Sequence, residues 1–144
     1  MNKIITLTLV CITTILSDYL DFEIIINEGH YNQDIFVSHR FEEYQYLAII
    51  DPDLNPKWYV VLNDHKGWDF KVSNNEHLTY FRKQPEGSEI PSSWYVMDSY
   101  MQEVDTLNCA NGYSPDYHDI QYTESGGYIL QAYSREVIDI PQTS

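Results

Sequence analysis

His118-Asp119 is the pair of residues in this sequence best suited to chemistry. It opens the β-type run His118-Asp119-Ile120-Gln121-Tyr122, directly after the irregular stretch Asn111-Gly112-Tyr113-Ser114-Pro115-Asp116-Tyr117. An imidazole titrates near neutral pH, so a histidine at the mouth of a site can act as acid, base or nucleophile, with an acidic neighbour to orient it. His118 is therefore the candidate catalytic residue, and His118 with Asp119 the candidate substrate-binding pair. The same spacing also fits a histidine packed within a sheet, with Asp119 capping a turn.

The remaining motifs point away from other chemistries. His30, His39, His65, His77 and His118 contain no HxH or HExxH pair, and no cysteine cluster accompanies them, so neither a metal site nor a cofactor is expected. Asp51-Pro52-Asp53-Leu54-Asn55 has the start of a calcium loop. That loop requires Gly next and Glu at its twelfth position, where Pro56 and Leu62 stand. The composition of the segment predicts a hairpin turn instead. There is no Gly-rich phosphate loop and no GxSxG elbow.

The elements that must position His118 read as strands. Expected strands are Phe22–Ile26, Ile35–His39, Tyr46–Ile50, Lys57–Leu62, Trp68–Val72, His77–Arg82, Trp94–Met97, Val104–Asn108, His118–Tyr122, Tyr128–Tyr133 and Glu136–Ile140. Turn clusters at 51–56, 73–76 and 123–127 separate them, and Gln84–Ser93 reads as a longer surface loop. Aromatics make up 15% of the chain, including 13 Tyr and 3 Trp, which favours pleated, half-buried surfaces over helices.

The strands repeat. The hairpin from Trp68-Asp69-Phe70-Lys71-Val72 to His77-Leu78-Thr79-Tyr80 recurs from His118-Asp119-Ile120-Gln121-Tyr122 to Gly127-Tyr128-Ile129-Leu130, 50 positions on. Leu47-Ala48-Ile49-Ile50-Asp51 likewise matches Trp94-Tyr95-Val96-Met97-Asp98 at 47 positions. A period of this length suits the four-stranded blade of a β-propeller, because blades stack and each buries the face of the next. The fold class expected is all-β, a partial β-propeller of about two to three four-stranded antiparallel blades. It comprises a partial blade at 22–63, a complete blade at 68–108 and a half blade at 118–140, within an incomplete propeller domain at 22–144. In such a blade the start of the innermost strand faces the central channel, which is where His118 would sit. A β-sandwich of similar strand count is the alternative architecture.

Residues 1–17 read differently. Met1-Asn2-Lys3 gives a positive start and Ile4 to Leu16 is an uncharged, largely apolar run, too short for a comfortable membrane span and suited to a signal peptide. Export to a periplasmic or extracellular location is expected, with maturation near 17–22. A first buried strand or helix is the other reading. Val10 is too bulky for Cys11 to read as a lipoprotein cysteine. Loss of the leader leaves Cys109 alone, so no internal disulfide framework is expected. The formal charge of −14 repels polyanions and argues against nucleic acid and anionic membrane as partners, apart from the leader's own passage.

Taken in order, Trp68-Asp69-Phe70-Lys71-Val72, His77-Leu78-Thr79-Tyr80-Phe81, Tyr95-Val96-Met97-Asp98, Asn111-Gly112-Tyr113 and His118-Asp119-Ile120-Gln121 resemble the arylsulfotransferase (aryl-sulfate sulfotransferase) family. Tyr46-Leu47-Ala48-Ile49-Ile50-Asp51 and Lys57-Trp58-Tyr59 fit its opening blade, so the resemblance covers about residues 24–140. It implies an exported six-bladed propeller. Such an enzyme moves a sulfuryl group from a phenolic sulfate ester to a phenol through a sulfated histidine, and His118 matches an early channel histidine. The implied partners are a small phenolic sulfate and a phenol. The family's His-x-Asn segment, sulfate-binding Arg and nucleophilic His have no counterpart here, and Glu76 stands where the family usually has Gly. The chain thus reads as truncated and inactive alone, with self-association through an exposed blade face as a further expectation. A non-catalytic extracellular binding or structural module, using exposed Tyr and Trp, is the alternative function.

Overall fold

A computed structural model describes residues 32–41, 44–73 and 76–134. The expected leader and the strands Phe22–Ile26 and Glu136–Ile140 lie outside the described residues. Within them the chain is all-β, with no helix: β1 (Ile35–Phe41), β2 (Tyr44–Ile50), β3 (Pro56–Leu62), β4 (Lys66–Val72), β5 (Leu78–Lys83), β6 (Ser93–Met97), β7 (Glu103–Leu107), β8 (Pro115–Tyr122) and β9 (Tyr128–Ala132). These form three antiparallel meanders, ordered β1-β2-β3, β4-β5-β6-β7 and β8-β9.

Four hairpin turns share one construction. In each, the first residue's N–H donates to the carbonyl four residues on, and its own carbonyl accepts from the N–H three residues on. The pairs start at Asp51, Ser73, Asp98 and Thr123. The fourth residue takes positive φ in every case: Leu54 (65°), Glu76 (65°), Met101 (61°) and Gly126 (90°). Asp51 and Asp98 add the same side-chain brace. Asp51 Oδ1 accepts from the N–H of Asp53 and Asn55 at 3.0 and 2.7 Å, and Asp98 Oδ1 from Tyr100 and Gln102 at 2.8 and 3.0 Å. The calcium-like segment at Asp51 is therefore a hairpin turn.

The two central strands of the four-stranded sheet, β5 and β6, are buried on both faces, and their side chains alternate between two clusters. Leu78 and Tyr80 of β5, Met97 of β6 and Phe70 of β4 join Leu47, Ile49 and Leu62 of the first sheet in one core cluster. On the opposite face Phe81 of β5 and Trp94 of β6 join Ile120 of β8, with Tyr117, Tyr128 and Leu130 packed around them. The middle sheet is thus enclosed between its neighbours. Burial of these side chains, at about 25 cal/mol per Å² of apolar surface, is what holds sheet to sheet.

The junctions are also tied by hydrogen bonds. The β4–β5 ladder slips between Trp68 and Lys71, and Asp69 there adopts φ 49°. This bulge turns the Phe70 N–H away from the ladder to donate to Ser38 Oγ of β1 at 3.1 Å. Gln45 Nε2 of β2 donates to the carbonyl of Gly67 at 3.1 Å. Gly67 is buried where a Cβ would stand 2.6 Å from Leu62 Cδ1 and 2.7 Å from Leu47 Cδ2, so only glycine allows the first sheet to approach so closely.

Candidate functional site

β8 carries the candidate site, and its opening is fixed from beneath by the core. Trp94 is fully buried, and its indole Nε1–H donates to the carbonyl of Asp116 at 2.9 Å. Buried Pro115 begins the strand, a position where its missing N–H is tolerated. Tyr117 then packs on Trp68 and Phe81, with ring centroids at 5.0 and 6.2 Å, and His118 stacks on Tyr117 at 4.1 Å.

The carboxylate that meets His118 is Asp116, not Asp119. Asp116 Oδ1 accepts the His118 backbone N–H at 2.9 Å and pairs with ring Nδ1. The β8–β9 ladder is irregular between Pro115 and Ile120, and in this stretch the Asp116 side chain caps the backbone amide two residues on, as Asx side chains do, which brings it to the His118 ring. Burial by itself would raise the Asp116 carboxyl. The hydrogen bonds from the His118 ring and amide outweigh it and hold the group below the usual carboxylate range. An ionised carboxylate only accepts, so Nδ1 carries the proton and Nε2 is the ring nitrogen left for chemistry. The His118 side chain is 54% exposed and that of Asp116 only 10%.

Asp119 serves a different group. Its carboxylate accepts from Lys71 Nζ at 2.8 Å and Gln121 Nε2 at 2.9 Å, and these two bonds, Lys71 first, hold it below the usual range. Lys71 also bonds Asp69 at 2.6 Å. Desolvation works against its charge, but the two carboxylates prevail and raise its pKa. Asp69 and Asp119 occupy equivalent places in the 50-residue repeat, and one lysine clamps both. A small cleft of about 230 Å³, lined by Lys71, Val72, Ser73, Ile120, Gln121 and Tyr122, opens beside this clamp.

Of these residues the sequence pattern singles out only His118 and Asp119; Asp116, Lys71 and Asp69 enter through the geometry. Asp116 lies in a stretch that reads as loop, and its signal is the capacity of an Asp to cap the amide two residues on. The signal for the clamp was the aligned pair Asp69 and Asp119.

Two larger clefts lie elsewhere, on either side of the β3–β4 connection. One, of about 720 Å³, is lined by apolar Leu47, Trp58 and Met97 and by the bonded group Tyr80, Arg82 and Glu103. Burial first, then the Glu103 hydrogen bond, pushes the Tyr80 hydroxyl well up, so it remains a donor. The other, of about 390 Å³, is lined by Arg40, Lys66, Lys83, His65 and their neighbours. His65 Nδ1 pairs with Asp64, whose carboxyl is lowered by that bond, while its Nε2 is closed to solvent without a partner. Cys109 is half-buried, and burial pushes its thiol up. Among the described residues no group of three or more His, Cys, Asp or Glu is arranged to hold a metal ion, and no helix is long and apolar enough to cross a membrane.

Comparison of the chain with protein-family models, with curated proteins and with solved structures finds no match in any of the three.

Proposed function

We propose that this chain supplies successive blades of an exported β-propeller, and that it serves sulfuryl transfer between phenols of the arylsulfotransferase kind, with His118 acting on the phenolic oxygen. The observation that carries the reading is the Asp116–His118 pair at the opening of β8, with Nδ1 held by a carboxylate and Nε2 left as the reactive nitrogen. The stacked meanders and their 47- and 50-residue periods support the propeller part. The ordered motifs from Trp68 to Gln121 support the chemistry.

In this reading Nε2 of the neutral ring takes the proton of the acceptor phenol as its oxygen bonds to sulfur. The bond from sulfur to the phenolic oxygen of the donor ester breaks, and Asp116 stabilises the imidazolium that forms. That imidazolium then gives its proton to the departing phenolate. Release of 4-nitrophenol from 4-nitrophenyl sulfate in the presence of an acceptor phenol tests this in the protein as it is naturally produced. His118→Ala should lower turnover by about 10²–10⁴-fold, and Asp116→Asn should lower it by less. Undiminished turnover in His118→Ala, or no turnover in the wild type, overturns the reading.

A second reading, a non-catalytic binding module, is favoured by Tyr100 and Tyr133, which are 81% and 65% exposed and can stack on sugar rings. Saturable glycan binding that is lost in Tyr100→Ala, with no sulfate release, would select it.

A further inference from the structure

The cleft of about 390 Å³ between the first two sheets gathers positive charge in a chain that is otherwise strongly acidic. Three of the six Lys and Arg within the described residues line it: Arg40 at the end of β1, Lys66 at the start of β4 and Lys83 at the end of β5. Lys57, Lys71 and Arg82 are each engaged by a carboxylate: Lys57 by Asp34, Lys71 by Asp69 and Asp119, Arg82 by Glu103. Among the described residues neither Lys66 nor Lys83 is in an ion pair.

The register makes this arrangement unfavourable as it stands. Lys66 and Lys83 are direct cross-strand partners, so their side chains leave the sheet on one face, side by side. Like charges directly opposite one another destabilise a strand pair. Asp64 and Glu86 also line the cleft, yet neither is paired with these lysines. Leu62 closes part of the floor, 7% exposed, and the buried Gln45 amide is already committed to the Gly67 carbonyl.

We propose that this cleft binds a small oxyanion of the phosphate or sulfate type, held between Lys66 and Lys83. An oxyanion bridging the two ammonium groups converts their repulsion into two charge-assisted hydrogen bonds. The volume admits a small molecule and not a polymer. The site lies on the β3–β4 side of the fold, apart from His118 and from the chemistry proposed there, and neither claim requires the other.

Calorimetric titration with inorganic phosphate, and separately with sulfate, at constant ionic strength set by chloride, tests the proposal and tells the two oxyanions apart. Saturable binding is expected, weakened at least tenfold in Lys66→Gln/Lys83→Gln and unchanged in Lys57→Gln. A second variant guards against misfolding. Lys66→Glu should abolish binding and raise the thermal midpoint in phosphate-free buffer, because the repelling pair becomes an attracting one. Absence of saturable binding with both oxyanions, an undiminished affinity in the double glutamine variant, or equal competition by chloride overturns the proposal.

Discussion

At the scale of single residues, the chemistry of β8 is set by which carboxylate each cation finds. Asp116 takes His118 and Asp119 takes Lys71, and both carboxyls are depressed by those bonds. A carboxylate depressed in the fold contributes stability above its unfolded pKa, and that stability is lost as pH falls through the folded value. Chemical denaturation should therefore give constant stability from about pH 7 to pH 5 and a decline below about pH 4. Asp116→Asn/Asp119→Asn should flatten that decline. An unchanged acid limb in the double variant would show that other carboxylates govern it. The sequence marks His118 as the first residue of a strand, whereas β8 begins three residues earlier, at Pro115. The pattern assigns it the wrong acidic partner because Asp116 precedes the recognisable apolar run, and a strand that starts with Pro carries turn signals in its first residues.

At the scale of elements, the repeat is expressed in the turns more faithfully than in the strands. Residues 76 and 126 hold the same positive-φ position, Glu in one hairpin and Gly in the other. An L-residue in this conformation costs about 1 kcal/mol relative to glycine. Glu76→Gly should stabilise the protein by about 0.5–1 kcal/mol in urea melts, and a loss of stability would mean the Glu76 side chain has a compensating role. Gly67 is the opposite case. Gly67→Ala places a methyl against Leu47 and Leu62, and overpacking of this kind destabilises by about 1–3 kcal/mol. A neutral result would show that the first two sheets can separate without loss. The strand runs were legible because alternation and β-branched or aromatic content are local properties. Each expected strand within the described residues is present, with ends displaced by up to three residues, as at β8. The bulge at Asp69 was not legible: it depends on Ser38 of another sheet accepting the Phe70 N–H.

At the scale of the molecule, a two-faced middle sheet needs a neighbour on each side, and the two core clusters share no residue. Ile49→Val and Ile120→Val, one in each cluster, should each cost about 0.5–1.5 kcal/mol. They should add to within about 0.5 kcal/mol. A strong coupling between them would mean that the middle sheet transmits strain from face to face. This stacking was anticipated from the period of the repeat, whereas the pairing of Lys66 with Lys83 and the clamp on Lys71 emerge only from register. The central claim is that the Asp116-held imidazole of His118 meets a phenolic ligand. The most direct measurement is an NMR titration of the histidine ring resonances with 4-nitrophenol and 4-nitrophenyl sulfate. Saturable shifts of the His118 ring, larger than those of His39, His65 or His77, and loss of binding in His118→Ala are expected. Shifts absent at His118, or binding retained in that variant, would contradict it.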